Sequence, residues 1–230
     1  MTAYIFPPSQ TPSVPVRGRS ERYAVSRIFC VGRNYAAHAR EMGFDPDREP
    51  PFYFNKTPRD LVPSGATIAY PPGTQNFHYE MELVVAIGKP VFQVSVEAAQ
   101  DAVWAYACGL DMTRRDLQIK SREMGRPWCF GKNFEQSAII SELVPAADIG
   151  HVASGRIHLS VNGQVKQDAN IQDLIWRIPE VVANLSQYYH LEPGDLIYTG
   201  TPEGVGAVQP GDHLVGGVDG VGTISLTIAR

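Results

Sequence analysis

Apolar positions along this chain alternate with polar ones far more often than they recur at helical spacing. Arg27-Ile-Phe-Cys-Val-Gly32 and Pro51-Phe-Tyr-Phe-Asn55 predict strands. Ala66 to Tyr70 and Tyr79 to Ile87 predict two more, around a turn at Pro71-Pro72-Gly73. Gly155 to Val165 predicts a hairpin with Asn162-Gly163 as its two-residue turn. Residues 191–230 are short strands cut by Pro-Gly-Asp at 193–195 and 210–212, a spacing that predicts a closed β-barrel or roll. Helical spacing is rarer. Asn34 to Met42 predicts a short helix, with Asn34 as N-cap and Gly43 as its stop. Val96, Ala99, Val103 and Tyr106 predict a helix over Val96 to Tyr106, Asp116 to Met124 predicts another, and a further one begins after Pro179. Residues 44–51 carry three prolines and four charges and predict an exposed loop. The pattern as a whole is α+β and strand-dominated. Residues 1–26, rich in proline and serine, form an arm or small hairpin, and residues 27–230 form the main domain.

The chemistry is concentrated where a strand enters the core. In His78-Tyr-Glu80-Met-Glu82-Leu83, alternation places His78, Glu80 and Glu82 on one face, ahead of an apolar run ending at Ile87. Two acids aimed together at a buried region repel each other and lose hydration, costs that a divalent cation relieves. A lone pair of this kind also fits a polar strand end in solvent. Asp111, at the end of another predicted strand, makes a third carboxylate, and three oxygen ligands plus water suit Mg2+ or Mn2+. His78 is expected to support or pack beside this set, since an all-oxygen shell suits a hard cation.

His38 and Glu41, three apart on a predicted helix, share a face. They read either as an exposed surface pair or as a carboxylate-oriented general base. Arg33 and Asn34 are either structural or anion-binding. Lys132, in Trp128-Cys-Phe-Gly-Lys132, could stabilise an oxyanion or lay its stem over the core. Arg115 and Gln118 could clamp a substrate carboxylate. The glycine-rich stretch from Gly200 to Gly206 lacks Gly-Lys-Ser/Thr and is no phosphate loop, but Thr201 and nearby N–H groups could hold a carboxylate.

Composition removes other classes. A net charge of −4, with no basic cluster interleaved with aromatics, argues against nucleic-acid partners. No apolar run reaches the roughly 18–20 residues of a membrane helix. No secretory signal pattern is visible. Cys30, Cys108 and Cys129 are scattered and odd in number, which fits reduced thiols in the cytoplasm.

Taken in order, Val31 to Glu41, His78 to Leu83, Gly109 to Gln118, Pro127 to Phe134 and Tyr198 to Gly206 resemble the fumarylacetoacetate hydrolase superfamily. The resemblance runs from residue 27 to the C-terminus and is greatest to the small acylpyruvate-hydrolase branch and its bacterial members acting on fumarylpyruvate. It implies a mixed β-roll and Mg2+ or Mn2+ on Glu80, Glu82 and Asp111. It implies water activated by His38 and Glu41. Arg115, Gln118, Lys132 and Thr201 would contact substrate, and the working unit would be a homodimer; Arg33 is expected to join the substrate contacts, and Lys132 to stabilise the oxyanion. The implied substrate is a 2,4-dioxo acid, fumarylpyruvate above all, met in gentisate-type aromatic catabolism. In relatives the helix carrying the His-Glu pair acts as a lid, for which residues 44–51 would be the hinge. The same scaffold also implies oxaloacetate decarboxylation, or isomerisation and decarboxylation of hydroxylated dienoate diacids, as alternatives. A fumaryl tail calls for a cation at its far end, with Arg40, Lys56, Arg59 and Arg126 as the candidates.

Overall fold

The computed structural model describes residues 3–42 and 49–230. The expected stop at Gly43 and most of the expected loop at 44–51 lie outside the described residues. Within them, no helix is long and apolar enough to cross a membrane.

Hydrophobic alternation organises a strand-dominated α+β fold. The central sheet runs in the order Phe52–Lys56, Arg27–Gly32, Asp195–Tyr198, Met81–Ile87, Val103–Asp111, Ala138–Ile140, Leu61–Pro63. It is mixed: Asp195–Tyr198 pairs parallel with Arg27–Gly32 and antiparallel with Met81–Ile87. A second sheet runs Gln164–Asn170, Arg156–Val161, His213–Val218, Gly222–Ile228, Ala66–Ile68, and packs on the Met81–Ile87 and Val103–Asp111 strands. A small third sheet joins Thr113–Arg114, Phe77–Tyr79 and Gly206–Ala207.

The two faces of the central sheet bury different side chains. Met81, Leu83, Val85 and Ile87 face the larger core, shared with the second sheet and the Ile178–Ser186 helix. Val84 and Ala86, with Ala105 and Ala107 from the next strand, face a thinner core. That core is covered by Val14, Val16 and Val25. These come from the N-terminal segment, where Ser13–Pro15 pairs with Arg22–Ala24 as a hairpin. Small residues on this face let the chain pack closely. A Cβ on Gly109 would fall 2.5 Å from Val84 Cγ2 and 2.6 Å from Tyr198 Cε1.

Three elements differ from expectation. The predicted helix over Val96 to Tyr106 is only Val96–Ala99 plus a 3-10 turn at Gln100–Ala102, and the chain is a strand from Val103 onward. Ala86 pairs with Ala105 but Ile87 with Val103, so an extra residue, Trp104, bulges between them. The bulge returns Val103 and Tyr106 to the same core and imitates a helical period. The helix after Asn34 is Ala36–Glu41, and Tyr35, not Asn34, occupies its N-cap position. The late helix, Ile178–Ser186, includes Pro179 in its first turn, where its missing N–H costs no helix bond.

Candidate active site

Strand register assembles the acids. Met81 pairs with Leu110 and Glu82 with Gly109, and the Asp111 N–H donates to the Glu80 carbonyl at 2.9 Å. Glu80 thus lies opposite Asp111, with Glu82 one pleat further on the same face. Ligand oxygens from Glu80, Glu82 and Asp111 lie within 4.8 Å of one another, and all three residues are buried.

Three cations converge on this cluster. Lys132 Nζ donates to Glu80 Oε2 at 2.6 Å, Asp111 Oδ2 at 2.7 Å and Thr113 Oγ1 at 2.8 Å. Arg115 donates to Glu80 Oε1 and to Gln118 Oε1, the latter at 3.1 Å. Lys56 Nζ lies 2.8 Å from Asp111 Oδ1 and donates to the Met112 and Lys132 carbonyls. Burial alone would raise Glu80, but Lys132, Arg115 and His38 outweigh it and hold the carboxyl well below the usual range. Burial likewise opposes the charge on Lys132, and Asp111 and Glu80 overcome it, raising the ammonium above its ordinary value.

Glu82 is different. Its hydrogen bond comes from the Gly200 N–H at 2.7 Å, and among the described residues no side-chain cation donates to it. Burial first, then Asp111 and Glu80, push its carboxyl well above the ordinary value. A buried acid beside two others, lacking its own cation, is what a hard divalent ion completes. The all-oxygen donor set of Glu80, Glu82 and Asp111 therefore fits a hard divalent cation.

The expected base lies on the same cavity. His38 Nδ1 is 3.1 Å from Glu41 Oε2, and the Gly204 N–H donates to both Glu41 oxygens at 3.2 Å. Burial opposes ionisation of Glu41, but the bonds from His38 and Gly204 prevail and hold its carboxyl below the usual range. Asn34 fixes the strand-to-helix turn in front of the pair. Its side chain accepts from Trp176 N at 2.8 Å and donates to the Trp176 and Thr199 carbonyls.

One cavity is lined by Arg33, His38, Glu80, Glu82, Arg115, Gln118, Lys132 and Thr201. The other two expected residues stand directly behind its wall: Glu41 on His38, and Asp111 under Lys132. Arg33 has φ 54 and lays its guanidinium 4.8 Å from the Phe52 ring centroid. The glycine-rich stretch holds carboxylates as expected, but they are the protein's own, Glu82 and Glu41. Lys56 is buried against Asp111 and is removed from the candidates for the far end of a tail. His78 sits beside the carboxylates and not among them. Its Nε2 pairs with Asn76 Oδ1 at 2.8 Å, and burial, then Arg115, lower it to about 4. It is therefore neutral near pH 7.

Gln167 is the residue that sequence reasoning misses. Fully buried, it accepts from Met81 N at 3.0 Å and donates to Thr201 Oγ1 at 2.9 Å and to the Pro202 carbonyl at 2.8 Å. It thereby ties the acid-bearing strand to the glycine-rich loop. Its neighbours Lys166 and Asp168 are exposed, and nothing in Gln164-Val-Lys-Gln-Asp-Ala-Asn170 marks it out.

The fold and these motifs define a family. The model of the fumarylacetoacetate (FAA) hydrolase C-terminal domain matches residues 27–229, and the chain belongs to that family. Within it, the chain is 58% identical over 184 residues to a fumarylpyruvate hydrolase of Ralstonia sp., covering 80% of this chain and 95% of that one. It superposes with a TM-score of 0.96 and 51% identity on the crystal structure of a fumarylpyruvate hydrolase from Pseudomonas aeruginosa in complex with Mn2+ and pyruvate, covering 99% of each chain. It is also 39% identical over 203 residues to a mitochondrial oxaloacetate tautomerase of Bos taurus, covering 88% of this chain and 91% of that one.

Proposed function

We propose that this protein hydrolyses the C3–C4 bond of a 2,4-dioxo acid, with fumarylpyruvate as substrate and fumarate and pyruvate as products. The observation that carries the reading is a Glu41-oriented His38 on the same cavity as a buried three-carboxylate cluster. The likeness to fumarylpyruvate hydrolases from Ralstonia and Pseudomonas supports it.

Glu80, Glu82 and Asp111 hold Mg2+ or Mn2+, which supplies Lewis-acid polarisation of the substrate's oxygens when bound. His38 Nδ1 is engaged by Glu41, so Nε2 is the nitrogen that takes a proton from water. The water oxygen adds to C4. Lys132, with Gln118, stabilises the resulting oxyanion. Collapse of the adduct breaks the C3–C4 bond, forming the acid and the enolate of pyruvate. His38 returns its proton to C3. Arg115, Arg33 and Thr201 orient the substrate's carboxylate end. No side chain acts as a nucleophile in these steps.

The test follows the enol absorbance of fumarylpyruvate with purified protein, first with Mg2+ or Mn2+, then with EDTA. Metal-dependent loss, with fumarate and pyruvate appearing together, is expected. A second reading, proton transfer or decarboxylation on oxaloacetate, has the bovine tautomerase in its favour. Reaction of oxaloacetate without cleavage of fumarylpyruvate would establish it instead. A cytoplasmic homodimer in gentisate-type aromatic catabolism completes the proposal. The free, buried thiols of Cys30 and Cys108 suit a reducing compartment, and light scattering tests the dimer.

A further inference from the structure

The active-site cavity is nearly filled by its own side chains. Its water-accessible volume is about 30 Å3, room for about one water. A substrate acyl group needs more space. A neighbouring groove of about 390 Å3 lies between the Phe52–Lys56 edge strand and the Arg126 to Asn133 segment. The two spaces share Phe54, Trp128 and Lys132 as walls, so the groove opens beside the proposed oxyanion donor.

Its walls suit a flat, conjugated chain. The Trp128 ring packs edge-on against Phe52 at 5.1 Å and tilted against Phe54 at 5.9 Å. Lys132 Nζ lies 4.9 Å from the Phe54 centroid, marking the inner end. Arg126 lines the groove two residues before Trp128. Among the described residues its exposed side chain forms no hydrogen bond or ion pair, and none that lines the groove is acidic. The other cations proposed for a tail are elsewhere. Lys56 is committed to Asp111, while Arg40 and Arg59 line neither space.

We infer that this groove is the acyl-tail subsite: Phe54 and Trp128 hold the planar tail, and Arg126 pairs with a carboxylate at its far end. The enzyme is thereby selective for acylpyruvates whose acyl group is itself an acid. This rests on the hydrolase reading above and adds to it the residue that distinguishes a charged tail from an uncharged one.

The experiment compares kcat/KM for fumarylpyruvate and acetylpyruvate in the wild type, Arg126→Gln and Arg59→Gln, all with Mn2+. In Arg126→Gln the ratio of the two constants should fall by about tenfold or more, the effect of removing one charge-assisted pair. In Arg59→Gln it should not move. An unchanged ratio in Arg126→Gln overturns the subsite. A wild type that cleaves neither substrate overturns the hydrolase reading instead, and fumarate binding then decides the subsite alone. Calorimetric titration of fumarate should show about tenfold weaker affinity in Arg126→Gln than in the wild type. Equal affinities in that titration overturn the inference whatever the protein hydrolyses.

Discussion

Glu82 and Asp195 are both buried acids on adjacent strands of one sheet, and they are treated in opposite ways. Asp195 is satisfied by the chain itself: Arg27 donates to its two oxygens at 2.7 and 2.5 Å, and the Glu192 N–H at 2.9 Å. Glu82, toward the other end of the sheet, receives a single backbone N–H and faces two further carboxylates. A structural acid is closed by its partners, whereas a ligand acid keeps unmet demand for positive charge. Burial alone does not separate the two, since each is about 1% exposed. The inventory of partners does.

The largest effect belongs to the functional end. His38→Ala should lower turnover by about 10²–10⁴-fold, the usual loss for a general base. Mn2+ affinity measured by calorimetry should persist in that variant, and full activity would sink the His38–Glu41 pair. Glu82→Gln should weaken Mn2+ binding by at least about tenfold, the scale at which even supporting residues of metal sites act. In metal-free protein the same change should leave the melting temperature equal or higher, because it removes a crowded buried charge. A lower melting temperature would mean that Glu82 is as complete as Asp195.

Asp195, at the structural end, should answer in stability and not in metal binding. Asp195→Asn should cost about 1–2 kcal/mol in urea unfolding, a figure kept low because Arg27 is partly exposed. Gly109→Ala, which sets a methyl against Val84 and Tyr198, should cost about 1–3 kcal/mol through overpacking. A pH slope is expected at His78. Its pKa is about 4 in the fold against an ordinary 6.5, so between these values the unfolded chain binds the extra proton. The stability this imidazole contributes is complete above 6.5, shrinks as pH falls toward 4 and is gone below. Urea midpoints across that window should slope less in His78→Gln than in wild type, and parallel slopes would remove His78 from the account.

Much of this was legible in residue order. The two strands carrying the acids, the Asn162-Gly163 turn with φ 51 and 81, and the Arg115–Glu123 helix follow from local rules. The carboxylate set was legible because period-two alternation and a strand end leave few alternatives. What local rules cannot reach is partnership across the chain. Lys132 meets Glu80 across 52 residues, and Gln167 meets Met81 across 86. The Trp104 bulge deceived because a one-residue slip in a strand reproduces the spacing of a helix turn. Asn34 looked like a cap because asparagine commonly is one, yet its side chain is drawn off to Trp176 and Thr199.

The position of Asp195–Tyr198 in the middle of the sheet has a consequence for how the molecule is made. This strand separates Arg27–Gly32 from Met81–Ile87, yet Gly200 follows Glu82 by 118 residues and Asp195 follows Arg27 by 168. While the chain is being synthesised, the earlier strands wait with a gap between them, and their exposed edges must be kept from other chains until the centre arrives. Such long-range closure makes for slow folding. It also means that Glu82 and Glu41 gain their backbone partners together, in one late event that brings Gly200 and Gly204 to their carboxylates.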